Sequence, residues 1–377
     1  MEQSVKEILA DDFWIMPATP EYIDEGVPYI TSKNIKNGII DFTKVNYISR
    51  DAYESISKNR PILVGDILIS MIGTLGETAE VKETDGSFYG QNMFLVRLDE
   101  SKVNKRYFLN FFKSNRVKRA LEGKQNQSTQ KYLKANHIED LIIPIPSLDE
   151  QKMVAEQLDK LSQIIVLRSE ELRHLDDLIK ARFVELFGLP VSNTKGWPTE
   201  SMEEVAPVVN YKGGFDEKVW LLNLDMVEAQ TGRILDYLIV TEDEVGNSTC
   251  TFDTSNVLYS KLRPYLNKVV IPDRCGYATS EMVPLQPVRI KINREYLAFM
   301  LRSDEFVNMI NEKVAGAKMP RVSMGDFRKF DVPVPPMELQ GQFAEFVKQV
   351  DKSKVVVQKA LEETQLLFDS LMQEYFG

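Results

Sequence analysis

One short sequence motif occurs twice in the chain, and this repeat is the main evidence for its fold. Its first copy is Pro144-Ile-Pro-Ser-Leu-Asp-Glu-Gln151 and its second is Pro333-Val-Pro-Pro-Met-Glu-Leu-Gln340, displaced by 189 residues (340 − 151 = 189). The same displacement continues without a gap to the pairs Phe187-Gly188 and Phe376-Gly377, and 11 of the 45 aligned positions are identical. Self-similarity at a fixed displacement over this length indicates that the chain consists of two homologous halves.

A weaker match extends upstream of the repeated stretch. Asp66-Ile-Leu-Ile-Ser70 resembles Asn256-Val-Leu-Tyr-Ser260, and Met93, Tyr107 and Ser114 match Met282, Tyr296 and Ser303. Each half is therefore expected to be a globular domain followed by a well-matched tail. The predicted boundaries are 1–146 and 189–335 for the domains, and 147–188 and 336–377 for the tails.

In both tails, apolar residues recur at alternating steps of three and four. A 3.5-residue period sustained over about four heptads predicts a coiled-coil seam rather than a general amphipathic helix. Because neither tail has another long helix to pair with, we expect the two helices to form an antiparallel coiled coil that separates the domains with pseudo-two-fold symmetry. The alternative is that each helix packs inside the core of its own domain. The predicted seam residues are Leu158, Leu161, Ile165, Leu172, Leu175, Ile179, Val347, Val350, Val357, Leu361, Phe368 and Leu371.

Four polar residues interrupt this apolar series: Arg168 and Arg182 in the first tail, and Lys354 and Thr364 in the second. They fall at non-equivalent heptads of the two tails. Polar residues in a seam often fix register and partner choice at some cost in stability. We therefore expect these positions to specify how the two helices pair.

Within both domains, short β-branched and aromatic runs alternate with Gly, Asn and Asp turns, which predicts strands. Asp66-Ile-Leu-Ile-Ser70 and Lys268-Val-Val-Ile271 are examples. Each domain also has one helical stretch, at 105–122 and 294–314. The sequence therefore predicts an α+β fold with two mixed, mostly β domains.

Charge is distributed unevenly along the chain. The net charge of −10, from 46 Lys+Arg and 56 Asp+Glu, argues against a protein that coats nucleic acid by bulk charge. Yet residues 101–135 hold ten basic residues and the single acidic residue Glu122, a local charge of +9. A weaker basic stretch occupies 291–324, and a second basic strip occupies 261–268. A charge run is usually a solvated helix face, but its duplication within an acidic chain also favours contact with nucleic acid.

Polar residues interleaved with this basic stretch, at 126–132, suit hydrogen bonding to phosphates and base edges. The residues predicted to contact DNA are Lys113, Arg116, Lys118, Arg119, Lys124, Gln127, Ser128, Thr129, Gln130, Lys131 and Tyr132 in the first half, and Lys261, Arg263, Tyr265, Lys268, Lys318 and Arg321 in the second.

Several classes of chemistry are not expected from this composition. Two histidines, His137 and His174, and two cysteines, Cys250 and Cys275, lie in unrelated contexts, which disfavours a metal site, a catalytic triad or a disulfide framework. The sequence has no Gly-x4-Gly-Lys-Ser/Thr loop for binding ATP. No apolar run approaches the roughly 20 residues that cross a bilayer. We expect a cytoplasmic protein with no membrane partner and no catalytic residues.

One catalytic alternative is a nuclease built from Asp140, Glu150 and Lys152. Glu150 is replaced by Leu339 in the second copy and lies at a predicted helix start. Its role is therefore interpreted as structural.

The duplicated arrangement resembles the DNA-specificity subunit of type I restriction–modification systems, and this resemblance covers essentially the whole chain. The matching elements are Gly65-Asp-Ile-Leu-Ile-Ser70, Ile143-Pro-Ile-Pro146 with Glu150-Gln151, Gly196-Trp197-Pro198 with Val205, Thr279-Ser-Glu-Met282, Val332-Pro-Val-Pro335 with Gln340, and the Phe-Gly ends of both tails.

The resemblance implies that each domain is a target-recognition domain that reads half of a split site in double-stranded DNA. The coiled coil would set the spacing of the half-sites and dock two methyltransferase subunits that methylate adenine N6. Two restriction/translocase subunits could then join. This chain would carry no cofactor; its partners would use S-adenosylmethionine, ATP and Mg²⁺. The alternative function is a coiled-coil assembly scaffold whose basic segment binds protein, and the salt dependence of DNA binding would separate the two.

Overall fold

The computed structural model describes residues 1–16, 20–73, 75–123, 132–313 and 319–377. The chain divides into two compact units: unit 1 is Met1–Arg168 with Ala360–Gly377, and unit 2 is Ser169–Lys359. Each unit combines a mixed domain of strands and short helices with parts of both long helices. The predicted α+β fold with two repeated domains is confirmed.

The described residues of unit 1 form eleven strands and four short helices before the first long helix. The strands are β1 (Glu2–Ser4), β2 (Trp14–Ile15), β3 (Val27–Thr31), β4 (Ile35–Lys36), β5 (Ile39–Ile40), β6 (Asn46–Ile48), β7 (Ile67–Ser70), β8 (Thr78–Glu80), β9 (Tyr89–Gln91), β10 (Met93–Val96) and β11 (Ile142–Pro144). The helices are α1 (Arg50–Ser57), α2 (Lys105–Lys113), α3 (Asn115–Gly123), α4 (Ala135–Glu139) and the long α5 (Leu148–Phe187), which continues into unit 2. Short 3₁₀ helices span Val5–Ile8, Ser32–Asn34 and Glu83–Asp85.

Unit 2 repeats this plan, with nine strands among its described residues. They are β12 (Thr199–Ser201), β13 (Lys218–Leu222), β14 (Leu238–Thr241), β15 (Thr249–Phe252), β16 (Val257–Ser260), β17 (Val269–Val270), β18 (Gly276–Thr279), β19 (Met282–Leu285) and β20 (Asp331–Pro333). The helices are α6 (Met202–Val205), α7 (Arg294–Arg302), α8 (Asp304–Glu312), α9 (Met324–Arg328) and the long α10 (Met337–Phe376), which continues into unit 1. Short 3₁₀ helices span Leu224–Met226, Glu242–Glu244 and Pro264–Leu266.

The sheets of the two units correspond. An antiparallel sheet has the order β2-β10-β7-β8 in unit 1 and β17-β16-β19 in unit 2. A second sheet contains one parallel pair, β3 with β9 in unit 1 and β13 with β18 in unit 2. The register also matches, since Ser70 lies opposite Met93 and Ser260 opposite Met282. The faint upstream repeat therefore corresponds to paired strands.

The central strands β7 and β16 are buried on both faces, which explains their uninterrupted apolar sequences. In β7, Ile67 and Ile69 belong to the core against α2 and α3, whereas Leu68 belongs to a separate core over β3 and β9. In β16, Val257 and Leu258 divide in the same way between two cores. Each domain thus has one core facing the long helices and one facing away from them.

The helical stretch predicted at 105–122 is divided at Ser114 into α2 and α3, and the stretch at 294–314 is divided at Ser303 into α7 and α8. Both serines adopt extended backbone angles. Their hydroxyls accept hydrogen bonds from the amides of Val117 and Phe306, each at 3.3 Å. A serine that caps a new helix in this way competes with helix continuation.

The repeated Pro-x-Pro and Gln residues form a hydrogen-bond cluster around a buried glutamine where each long helix begins. Gln151 is fully buried; its Oε1 accepts from the amide of Asn104 at 2.8 Å, and its Nε2 donates to the carbonyls of Lys102 (3.1 Å) and Pro146 (3.0 Å). In unit 2, Gln340 is equally buried and makes the equivalent three bonds, at 2.9, 3.0 and 2.8 Å. These bonds fix the direction in which each long helix leaves its domain.

Within each unit, the two long helices pack in opposite directions. In unit 1 the start of α5 packs with the end of α10, because Val154 and Leu158 share a core with Met372 and Phe376. In unit 2 the end of α5 packs with the start of α10, and the rings of Phe183 and Phe343 lie 5.4 Å apart. The predicted antiparallel pairing is confirmed.

All twelve predicted seam residues are buried or partly buried. Polar residues that interrupt the seam find partners on the other long helix. In unit 1, Arg168 of α5 donates to Ala360 O and Thr364 Oγ1 of α10. In unit 2, Lys354 Nζ of α10 contacts Asp176 Oδ1 of α5 at 2.6 Å. Arg182, by contrast, pairs with Glu185 on its own helix at 2.7 Å. Three of the four polar seam residues therefore make contacts specific to this helix pair.

Candidate nucleic-acid interface

In unit 2, the loop between β16 and β17 brings two predicted groups of residues together. Leu262 forms a bridge with Arg321, and the Val322 amide donates to Lys261 O at 2.9 Å. The Arg263 amide donates to Pro320 O at 2.8 Å. The strip at 261–268 and the segment before α9 therefore form one surface.

The basic residues of this surface are not equally available. Arg321 forms a forked pair with Glu281 (Nη2 to Oε1, 2.9 Å), and this pairing raises the pKa of the guanidinium. Lys268 donates to Leu224 O at 2.6 Å, and its partial burial lowers the pKa of its ammonium group. Arg263 is exposed, and no hydrogen bond or ion pair reaches its guanidinium from the described residues. Tyr265 is 48% exposed. Arg263 and Tyr265 are thus the best-placed residues for contacting a ligand.

Unit 1 has a corresponding surface. Ile72 forms a bridge with Tyr132, and the Leu133 amide donates to Met71 O at 2.9 Å, as Val322 does to Lys261. Tyr132 and Ile72 remain 46% and 44% exposed. Gly73 and Gly76 belong to this β7–β8 loop. The same position of the fold therefore presents exposed side chains in both units.

The predicted basic residues of α2 and α3 belong to the same unit, and α3 lies near the β7–β8 loop, since a Cβ on Gly76 would lie 2.8 Å from Leu121 Cδ1. Lys113, Lys118 and Arg119 are exposed, whereas Arg116 contacts Glu2 at 3.1 Å. The buried side of α3, Val117 and Leu121, packs into the core. The helix therefore presents cations to solvent that could contact phosphates.

Seven of the predicted residues lie outside the described residues. They are Lys124, Gln127, Ser128, Thr129, Gln130, Lys131 and Lys318.

Three residues that support this surface are not among the predicted DNA contacts: Gln230, Asn267 and Arg302. Gln230 Nε2 donates to Tyr265 O at 3.0 Å, and Asn267 Nδ2 donates to Arg302 O at 2.9 Å. Burial lowers the pKa of the Arg302 guanidinium to about 10, with Asp351 and Asp176 opposing the shift. No local sequence pattern distinguishes these residues, because their partners lie more than 30 positions away along the chain.

The nuclease alternative finds no support in the site geometry. Glu150 Oε2 accepts hydrogen bonds from the Ser147 amide and hydroxyl at 2.9 and 2.7 Å, which caps α5. These bonds lower the pKa of Glu150. Across the described ranges, no group of three or more His, Cys, Asp or Glu side chains could hold a metal ion. Nor is any described helix both long and apolar enough to cross a membrane.

Comparison with known families identifies the chain. The profile of the type I restriction modification DNA specificity domain matches residues 16–175 and 227–364. The chain belongs to this family. It is therefore a specificity subunit of a type I restriction–modification system, as its motifs predicted. Family membership also confirms the predicted class of non-catalytic DNA-recognition subunit.

Among its relatives, this specificity subunit is 24% identical over 338 residues to the type I restriction enzyme EcoDI specificity subunit of Escherichia coli, covering 78% of this chain and 74% of the relative. Its fold is similar to that of the S subunit of a type I restriction–modification system from M. genitalium, with a TM-score of 0.59, 14% identity and coverage of 100% and 96%. A chain from a study of complex assembly and conformational transition of the type I R-M system is equally similar: TM-score 0.59, 14% identity, coverage of 100% and 97%.

Proposed function

We propose that this specificity subunit reads a split DNA site, with one half-site for each unit, and docks two adenine-N6 methyltransferase subunits. The observation that carries the proposal is the duplication of the loop surface, formed by Ile72 and Tyr132 in unit 1 and by Leu262 and Arg321 in unit 2. Two equivalent surfaces on one chain suit a ligand with two equivalent parts, such as double-stranded DNA.

In this proposal, residues 1–146 and 189–335 are the target-recognition domains. The helices at 147–188 and 336–377 set the distance between the half-sites. Side chains on the loop surfaces would contact base edges, and the exposed cations of α3 would contact phosphates. The remaining predicted DNA contacts, including those at 124–131 and Lys318, belong to the same proposal.

Docking of two identical partners is supported by exposed apolar residues at repeat-equivalent positions of the long helices. Val166 and Val355 are 55% and 69% exposed, Leu167 and Val356 are 56% and 68% exposed, and Leu178 and Leu367 are 48% and 50% exposed. Each pair is displaced by 189 residues, for example 355 − 166 = 189. Exposed apolar clusters on a folded surface often mark interaction sites. Because the pattern occurs twice, it fits two copies of one partner.

The partners supply the chemistry. The methyltransferase subunits would bind S-adenosylmethionine and transfer its methyl group to adenine N6. Two restriction/translocase subunits using ATP and Mg²⁺ would join the complex for cleavage.

The proposal is tested by mapping N6-methyladenine across the host genome with and without this gene. We expect a single split motif, with a fixed spacer, to lose methylation on both strands. Unchanged methylation, together with salt-insensitive DNA binding by the purified complex, would instead favour the scaffold alternative.

The two docks are tested separately with Val166→Asp/Leu167→Asp and the matched pair Val355→Asp/Val356→Asp. Each double variant should bind one methyltransferase subunit instead of two, and the combined variant should bind none. Native mass spectrometry of the purified complex measures this stoichiometry. Two bound subunits in every variant would place the docks elsewhere.

A further inference from the structure

We propose that Arg263 reads a guanine in the half-site of unit 2, and that Gln230, Asn267 and Arg302 brace its loop in the reading conformation. This inference rests on the proposed function and deepens it by assigning a specificity-determining residue.

The backbone of the β16–β17 loop is unusual. Arg263 (φ 49°, ψ 64°) and Asn267 (φ 51°, ψ 51°) are both left-handed and flank the 3₁₀ turn Pro264–Leu266. Asparagine tolerates this conformation, whereas arginine rarely adopts it. Strained residues persist only where the surroundings fix them, and they concentrate at functional sites. The left-handed backbone of Arg263 therefore implies that surrounding contacts hold it in this conformation.

Backbone and side-chain contacts fix the loop at both of its ends. At its start, the Arg263 amide donates to Pro320 O, and the Leu262–Arg321 bridge fixes the preceding residue. At its end, the buried Asn267 side chain donates to Gln230 Oε1 (3.3 Å) as well as to Arg302 O.

The hairpin that carries Gln230, closed by the antiparallel bridge between Val227 and Ile234, completes this support. The Gln230 amide donates to Leu266 O at 3.0 Å, and its side chain to Tyr265 O at the same distance. Gly232 (φ +68°) lets the hairpin approach, because a Cβ there would lie 1.8 Å from Val269 O. The Arg302 guanidinium donates to the same carbonyl and lies over the Phe299 ring at 5.3 Å. The loop conformation is therefore held before any ligand arrives.

This support leaves the Arg263 guanidinium free of hydrogen bonds from the described residues, whereas the nearby Arg321 is occupied by Glu281. A guanidinium has five donors in a planar fork, and its commonest base contact is the bidentate pair with guanine O6 and N7. A braced backbone reduces the entropy lost when such a contact forms. Unit 1 has no arginine in the corresponding loop at 71–77, so this contact is specific to unit 2.

The test uses the complete methyltransferase complex with Arg263→Lys, which keeps the charge but loses the planar fork, and Arg263→Ala. Methylation rates are measured on duplexes in which each base pair of the split site is substituted in turn. We expect both variants to lose discrimination at one guanine of one half-site, by about 5- to 150-fold, with the other half-site read as before. Unchanged discrimination at every guanine in both variants would overturn the inference, as would a recognised site with guanine in neither half.

The brace is tested with Gln230→Ala and Arg302→Met. Both should reduce discrimination at the same guanine as Arg263→Ala, whereas general destabilisation would lower activity on every site alike. Arg274→Ala is the matched control, because Arg274 is exposed and pairs with Asp273 in the same unit (3.1 Å). If the unmodified complex methylated no split site, the proposed function would fail first, which separates that failure from one of this inference.

Discussion

The two units differ most where they meet solvent and least where they meet the long helices. The hydrogen-bond clusters around Gln151 and Gln340 have equivalent partners in the two units. Tyr107 and Tyr296 each donate to the carbonyl of a proline that ends the last strand of the domain, at 3.0 Å in both units. The β7–β8 loop, in contrast, contains two glycines, whereas the β16–β17 loop carries Lys261, Arg263 and Tyr265. We call the domain cores and their contacts with the long helices the frame. The frame is the same in both units, whereas the residue types of the loops differ.

This difference extends one layer beneath the loops. Arg302, which braces the loop of unit 2, is replaced in unit 1 by Lys113, whose side chain is exposed (302 − 113 = 189). Two halves built on one frame can therefore support different surfaces. This fits a protein that reads two different half-sites.

The last turn of each long helix should be the part of the chain most sensitive to substitution. Phe376 and Phe187 occupy equivalent positions and are 0% and 2% exposed; Phe376 packs on Tyr107 at 4.9 Å, and Phe187 on Tyr296 at 4.7 Å. Phe376→Ala should destabilise unit 1, and Phe187→Ala unit 2, each by about 3–5 kcal/mol, because each leaves a cavity in an aromatic core.

Hydrogen–deuterium exchange, resolved by unit, measures these two effects. The matched controls Leu367→Ala and Leu178→Ala, at half-exposed positions of the same helices, should have little effect. If both phenylalanine variants destabilised the same unit, the proposed equivalence of the two helix ends would be wrong.

A smaller loss of stability is expected when the hydrogen-bond clusters around Gln151 and Gln340 are removed. Gln151→Ala and Gln340→Ala each leave one partly buried backbone amide and two backbone carbonyls without a partner, which costs about 1–3 kcal/mol. The two losses should be similar, since the bonds are equivalent. Denaturant unfolding followed unit by unit checks this, with Gln163→Ala on the exposed side of α5 as the control. A large loss in one unit alone would show that the frame is not shared as the geometry suggests.

The smallest effect separates the two helix starts. Glu150 caps α5, whereas the equivalent residue at the start of α10 is Leu339. Because hydrogen bonds from Ser147 lower the pKa of Glu150 in the folded state, its stabilisation is present above the pKa of the unfolded chain and is lost as pH falls through the folded pKa.

Glu150→Leu should therefore lower Tm slightly at neutral pH and have no effect at low pH. Glu338→Leu, an exposed first-turn acid of α10, is the control and should lack this capping-dependent component. Thermal unfolding of both variants across the acidic range measures the difference. A Tm change for Glu150→Leu that persisted at low pH would assign the effect to something other than the cap.

Much of the frame was predictable because its signals are local or periodic. The heptads predicted a seam of twelve residues, all of which are buried or partly buried, and the repeat located both long helices. The division of each helical stretch at Ser114 and Ser303 was missed, although both serines were visible as a repeated pair. A serine favours a helix start, but whether the preceding helix stops there depends on the core beneath it.

Three features can be derived from residue spacing along one chain: its two homologous halves, the paired helices of their tails, and the basic and polar residues that precede each repeated motif. Which of those residues are available to a ligand depends on contacts between distant parts of the chain. In the structure, Lys268 donates to Leu224 O and Arg321 pairs with Glu281. Arg263 stays exposed, and its loop is supported by Gln230, Asn267 and Arg302. The physical reason is that a polar group satisfied inside the protein offers less to a ligand, and the satisfying partners lie 35 to 44 residues away in sequence.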